Sequence, residues 1–149
     1  MRHLAALFVL LGCGQAGAFS ISLQSGEEIR WSNPQIPYEL QQDGSDDLSD
    51  GSDLGAIRSA VKSWNNVACS ALELIETGQG ESTDTIVTNG ELDGVNRITW
   101  IEDERWPYGS LVLGAATPVY DADGVIVEAD ITMNGYSVTW STTGVEATG

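Results

Sequence analysis

Between Leu113 and Trp140 the sequence reads LGAATPVYDADGVIVEADITMNGYSVTW, two strand-like limbs joined by an acidic turn. Leu113 to Tyr120 is apolar and becomes β-branched toward its end. Asp121-Ala122-Asp123-Gly124 breaks it, since Asp tolerates tight local geometry and Gly accepts a positive φ without steric cost. In the second limb Val125, Val127, Ala129, Ile131 and Met133 alternate with Ile126, Glu128, Asp130 and Thr132. A period of two separates these sets onto opposite faces, so the limb reads as a strand with a dry Val/Ile side and a wet carboxylate side. A hairpin specified this well belongs to a sheet.

Upstream, Ile36 to Leu40 (IPYEL) reads as a first strand, with Pro37 confining it to an edge or a strand start. Gln41 to Asp53 carries Asp43, Asp46, Asp47, Asp50 and Asp53 among Gly and Ser. Its spacing misses the calcium-loop pattern, because Leu48 takes the third position when Asp46 is first, and it reads as a solvated loop. Ser52 or Asp53 is the expected cap of the next helix, accepting a hydrogen bond from a first-turn amide. Leu54, Ile57, Val61 and Trp64 recur at helical spacing, which predicts a helix from Leu54 to Val67 that packs this face on a sheet. Ala71 to Glu76, Thr85 to Thr88 and Asn96 to Glu102 are strand-like, whereas Ser20 to Ser32 has little pattern. A helix crossing between strands and a closing hairpin predict an α+β fold: a mixed twisted sheet with at least one parallel pair, one long covering helix and a C-terminal β-hairpin.

The opening residues, MRHLAALFVLLGCGQAGAFS, place Arg2 before an apolar run from Leu4 to Leu11 and reach Ala16-Gly17-Ala18, which reads as a secretory signal peptide over 1–18. The run is well short of the ~20 residues that span a bilayer, so no transmembrane anchor is expected and 19–149 reads as an exported, extracellular portion. Leu10-Leu11-Gly12-Cys13 offers the alternative of a lipoprotein anchored through Cys13. With 22 acidic against 6 basic residues the net charge is −16. Such a surface repels nucleic acid and suits an extracellular protein and, with it, calcium.

Cleavage after Ala18 removes His3 and leaves Cys69 as the one cysteine. That thiol is either a small buried hydrophobe or a residue whose partner lies outside this sequence. Without histidine there is no Ser-His-Asp or Cys-His arrangement and no imidazole ligand. Gly78-Gln79-Gly80 lacks the Lys-Ser/Thr of a phosphate loop. Glu102-Asp103-Glu104 sits in a polar connector where solvent keeps carboxylates ordinary. Neither a catalytic residue nor a metal ligand is assigned.

The ordered set RW…IPYEL, AIRSAVKSWNNVACSALELIETG, NRITWIED and LGAATPVYDADGVIVEADITMNGYSVTWS resembles the N-terminal part of secreted matrixin-like zinc proteases of the metzincin class. The resemblance covers nearly all of Arg30 to Ser141. It implies a long helix after the first strand with Trp64 near its end, a cleft rim at Leu113, Gly114, Ala115, Ala116 and Thr117, and an Ala-Asp-Ile-x-hydrophobic-Asn strand at Ala129 to Asn134. It also implies a zinc-dependent metalloendopeptidase acting on peptide or protein substrates through an HExxHxxGxxH helix. The family places that helix shortly beyond the strand at Ala129 to Asn134, and GVEATG, Gly144 to Gly149, comes first. The expectation is therefore a catalytic domain truncated before its zinc motif, inactive alone. Ala115 and Thr132 stand near positions where animal members carry structural-zinc histidines, so no structural zinc is expected, and no cysteine-containing inhibitory motif is present. Two further readings stand beside it: a non-enzymatic secreted binding module that kept the sheet, and an unrelated extracellular β-rich domain. At Leu113 to Thr117 an ordinary edge strand competes equally with a substrate rim.

Overall fold

The computed structural model describes residues 21–80 and 92–144. The signal-peptide reading, Cys13 and the Thr85 to Thr88 strand lie outside them. Among the described residues β1 (Leu23–Gln24) and β2 (Glu27–Glu28) make a small antiparallel hairpin. β3 (Arg30–Trp31), β4 (Gln35–Gln41), α1 (Ser52–Asn65), β5 (Glu73–Gly80), β6 (Arg97–Ile101), β7 (Gly114–Tyr120) and β8 (Val125–Asn134) follow. They build one sheet in the order β3-β8-β6-β4-β5, with β7 on the remaining side of β8. Every pairing is parallel except β7 with β8, so the expected mixed sheet is present and its parallel share is large.

The Val/Ile-rich central strands follow from this arrangement, since a parallel sheet needs cover on its faces. Tyr38, Leu40, Ile98 and Trp100 form the core, and Leu54, Ile57 and Val61 of α1 pack against it. The predicted helical stripe is therefore correct for three of its four members. Trp64, expected on the same packed face, is 70% exposed. The helix start also differs. Gly51, in the left-handed region at φ 70°, is the N-cap and has no side-chain cap bond, while Asp53 turns inward and is buried.

The acidic loop before α1 is less solvated than its composition suggests. Gly44 and Ser45 are buried, Ser45 N–H donates to Asp53 Oδ2 at 2.6 Å, Asp46 N–H to Glu102 Oε1 at 3.0 Å, and Trp140 N–H to Asp47 Oδ2 at 2.8 Å. Three carboxylates thus hold backbone amides, a use of acidic residues that charge counting does not distinguish from solubility. Glu102 is correspondingly not ordinary: burial raises its carboxyl above the usual range. Cys69 is exposed, against the buried reading.

The largest correction concerns β8. Glu128, Asp130, Thr132 and Asn134 are buried, whereas Val127 is 48% and Ile131 40% exposed. The period of two is right; the expected wet face is the buried one, while on the expected dry face Met133 packs on the core and Val127 and Ile131 stay exposed. α1 covers the β4 and β6 part of the face that carries Tyr38 and Ile98 and leaves the β8 part of that same face, at Val127 and Ile131, open. The carboxylate side is closed by the backbone of residues 93–97, since Asp93 N–H and Gly94 N–H donate to Glu128 Oε2 at 3.1 and 2.5 Å and Arg97 N–H to Asp130 Oδ1 at 2.8 Å.

Candidate functional site: the free edge of β7

β7 is the edge on which the rim residues fall, and among the described residues no strand pairs with its outer side. Its register is Gly114↔Met133, Ala115↔Thr132, Ala116↔Ile131, Thr117↔Asp130 and Pro118↔Ala129, with a shift between Val119 and Tyr120. Antiparallel ladders alternate pairs that exchange both backbone bonds with pairs that exchange none. Two observations fix which are which. Ala129 N–H donates at 2.7 Å to Asn96 Oδ1, away from β7, and Asn134 N–H donates at 2.9 Å to Leu113 O, toward it. Ala115 and Thr117 therefore point their backbone groups inward to β8. Gly114, Ala116 and Pro118 point outward, and Pro118 has no N–H to offer. The open edge consists of N–H and C=O at Gly114 and Ala116 plus the Pro118 carbonyl.

Gly114 is required by close approach as well. A Cβ there would lie 3.1 Å from Thr132 O and 3.2 Å from the Met133 sulfur. Gly114, Ala116 and Pro118 all lie on the exposed side, and no residue from Gly114 to Tyr120 is charged. Small uncharged side chains leave the edge accessible, where many edges are blocked by Lys or a bulge. Beside it lies an apolar groove of about 190 Å³, lined by Trp31, Ile36, Ile98, Ala116, Ala129 and Ile131.

The end of the site is fastened by Asn134, which is fully buried. Its Nδ2 donates to Val112 O at 2.9 Å, its Oδ1 accepts from Ser137 N at 2.8 Å, and its carbonyl accepts from Trp140 Nε1 at 2.7 Å. One side chain thereby joins the segment entering β7 to the segment leaving β8. Asn96 does similar work at the other end: its Oδ1 holds Ala129 N, and its Nδ2 donates to Pro37 O at 2.8 Å, filling the gap between β4 and β8 before β6 begins. Sequence reasoning missed both roles. A lone Asn at a strand end gives no signal of its partners.

Zinc needs three or four nitrogen, sulfur or oxygen ligands in one place. Residues 21–80 and 92–144 contain no histidine, and among the described residues no group of three or more His, Cys, Asp or Glu is placed to hold a metal ion. The residues present do not fit zinc. No helix among them is long and apolar enough to cross a membrane.

No family model, curated protein or solved structure matches this chain. The functional reading rests on the edge itself.

Proposed function

We propose that β7 is the peptide-binding rim of a secreted matrixin-like zinc endopeptidase, and that the zinc ligands are supplied from outside the described residues. An extended substrate adds a strand to β7, its main chain pairing with Gly114 and Ala116 while an apolar side chain enters the groove at Ile131 and Ile98. Main-chain pairing supplies affinity in this mode, and the neighbouring pocket supplies selectivity. The observation that carries the reading is the outward pair of free backbone groups at Gly114 and Ala116 on an uncharged antiparallel edge. Among the described residues no side-chain group is placed to hold a metal ion, and the part assigned to them is to bind and orient.

A second reading keeps the same edge without chemistry, as a secreted binding module. The lack of a metal-holding side-chain group among the described residues favours it. Two measurements separate the readings. Titrating extended peptides while following amide exchange should protect Gly114 and Ala116 selectively, leaving the already bonded Ala115 and Thr117 unchanged; uniform or absent protection would refute the rim. The coding sequence after Gly149 then discriminates enzyme from module, an in-frame HExxH supporting the first and a stop codon the second.

A further inference from the structure

We propose that the turn leading into β7 docks on the surface of a neutral, zwitterionic lipid membrane, with Leu111 at its tip. No residue from Trp106 to Tyr120 is charged, in a chain of net charge −16. Within that stretch Leu111 is 93% and Leu113 57% exposed, and Tyr108 and Val112 are exposed as well. A single exposed apolar side chain is ordinary, but a cluster on an uncharged stretch marks a contact surface.

The tip is braced. Ser110 and Leu111 are the central residues of a turn closed by Val112 N–H, which donates to Gly109 O at 2.9 Å, and the buried Trp106 donates from Nε1 to the same carbonyl at 3.3 Å. Val112 O accepts from Asn134 Nδ2 and Leu113 O from Asn134 N–H, both at 2.9 Å. Leu111 is thus held out by a fixed loop that has little left to order on contact. The same bonds satisfy much of the turn's main chain from within, which is what entry into a medium without water demands.

Shape, composition and charge together name the occupant. The tip protrudes, so a protein partner would need a pocket cut to it, whereas hydrocarbon accepts it without one. Tyr108, edge-on to Trp106 at 5.1 Å between ring centroids, sets an exposed amphipathic ring beside the aliphatic tip, the combination suited to a bilayer interface. Asp103 and Glu104 precede the uncharged stretch and Asp121 and Asp123 follow it, so neutral headgroups are admitted and anionic ones repelled. Docking of this kind uses side chains of the turn, not the main chain of the β7 edge, and is independent of what that edge binds.

The test is flotation of the purified full chain with phosphatidylcholine vesicles, repeated with phosphatidylserine added to the bilayer. The chain should float with the first and less with the second. Leu111→Ser should weaken the partition about tenfold or more, the value of one buried leucine side chain, and Leu111→Trp should restore it. Neither variant disturbs packing, because Leu111 is almost wholly exposed, and matching urea midpoints check this. Trp64→Ser removes another large exposed side chain, on α1, and should leave the partition unchanged. Every variant keeps the apolar run from Leu4 to Leu11, so the comparison cancels any affinity of that run for lipid. No flotation with phosphatidylcholine overturns the proposal. So does tighter binding to the phosphatidylserine vesicles, an unchanged partition in Leu111→Ser, or an equal loss in Trp64→Ser. A change from dimer to monomer in Leu111→Ser, without flotation of the parent chain, would make the tip a self-association contact and overturn it too.

Discussion

At Ala115 and Ala116 two adjacent residues of identical chemistry have opposite uses. Ala115 N–H bonds inward to β8, so Ala115→Pro removes a ladder bond and should destabilise the sheet by about 1–3 kcal/mol. Ala116 N–H faces the open edge, so Ala116→Pro should leave the fold standing and reduce extended-peptide affinity by about tenfold or more through one lost main-chain bond. Urea melts and peptide titrations on both variants check the pair; equal losses of stability would contradict the assigned register. Glu128 offers a second contrast. Its carboxylate holds two backbone amides at 1% exposure, so Glu128→Ala should cost about 2–4 kcal/mol, two amides losing their acceptor. Val127→Thr beside it, on the open face, should stay within about 0.5 kcal/mol.

Among the described residues, the edge at β5 is treated differently from β7. Asn65, at the end of α1, donates from Nδ2 to Leu74 O and accepts Leu74 N–H at Oδ1, both at 2.9 Å. Its carboxamide imitates a neighbouring strand and blunts β5. Asn65→Ala should cost about 1 kcal/mol and increase self-association in analytical ultracentrifugation, since it reopens a strand edge. How far elements were legible follows from the same physics. The hairpin, α1 and the strands at Ile36 to Leu40 and Asn96 to Glu102 were readable, because periodicity and turn residues are local signals. β1, β2 and β3 were not, being two residues each and defined by their partners. The orientation of β8 was unreadable for a different reason: alternation fixes which residues share a face, never which face is covered. Only the backbone of residues 93–97, arriving from a distant position, made the carboxylate side the buried one. The strand at Leu113 to Thr117 was legible as an edge from the closing hairpin, but the direction of its N–H groups required the register.

For the molecule as a whole, acidity and burial act together on stability. Asp130 is raised above its ordinary value first by burial, with Glu128 and Asp93 adding to the shift. Glu102 is raised by burial too. An acid raised on folding holds its proton more tightly in the native state, so stability falls as pH climbs through its folded value and is recovered on acidification. Glu76 and Asp93 have the opposite sign, lowered chiefly by hydrogen bonds from Arg58 and Arg97, and their contribution is lost as pH drops through their folded values. Relief of repulsion within a chain of net charge −16 adds to the first trend. The urea midpoint should therefore rise as the pH falls through the raised carboxyls of Asp130 and Glu102, and fall again at lower pH as Glu76 and Asp93 take up protons. Asp130→Asn, which keeps an acceptor for Arg97 N–H, should flatten the rise; an unaltered profile would remove Asp130 as its source. The parallel seating of β3 on β8, Arg30 against Val125, also sets an order of events. The β4-α1-β5 unit closes a short loop and is suited to form early, whereas β3 must wait for a strand nearly the whole described chain away. The N-terminal segment should thus lock last and detach first, a latch whose opening would bare the groove at Trp31 before the core yields.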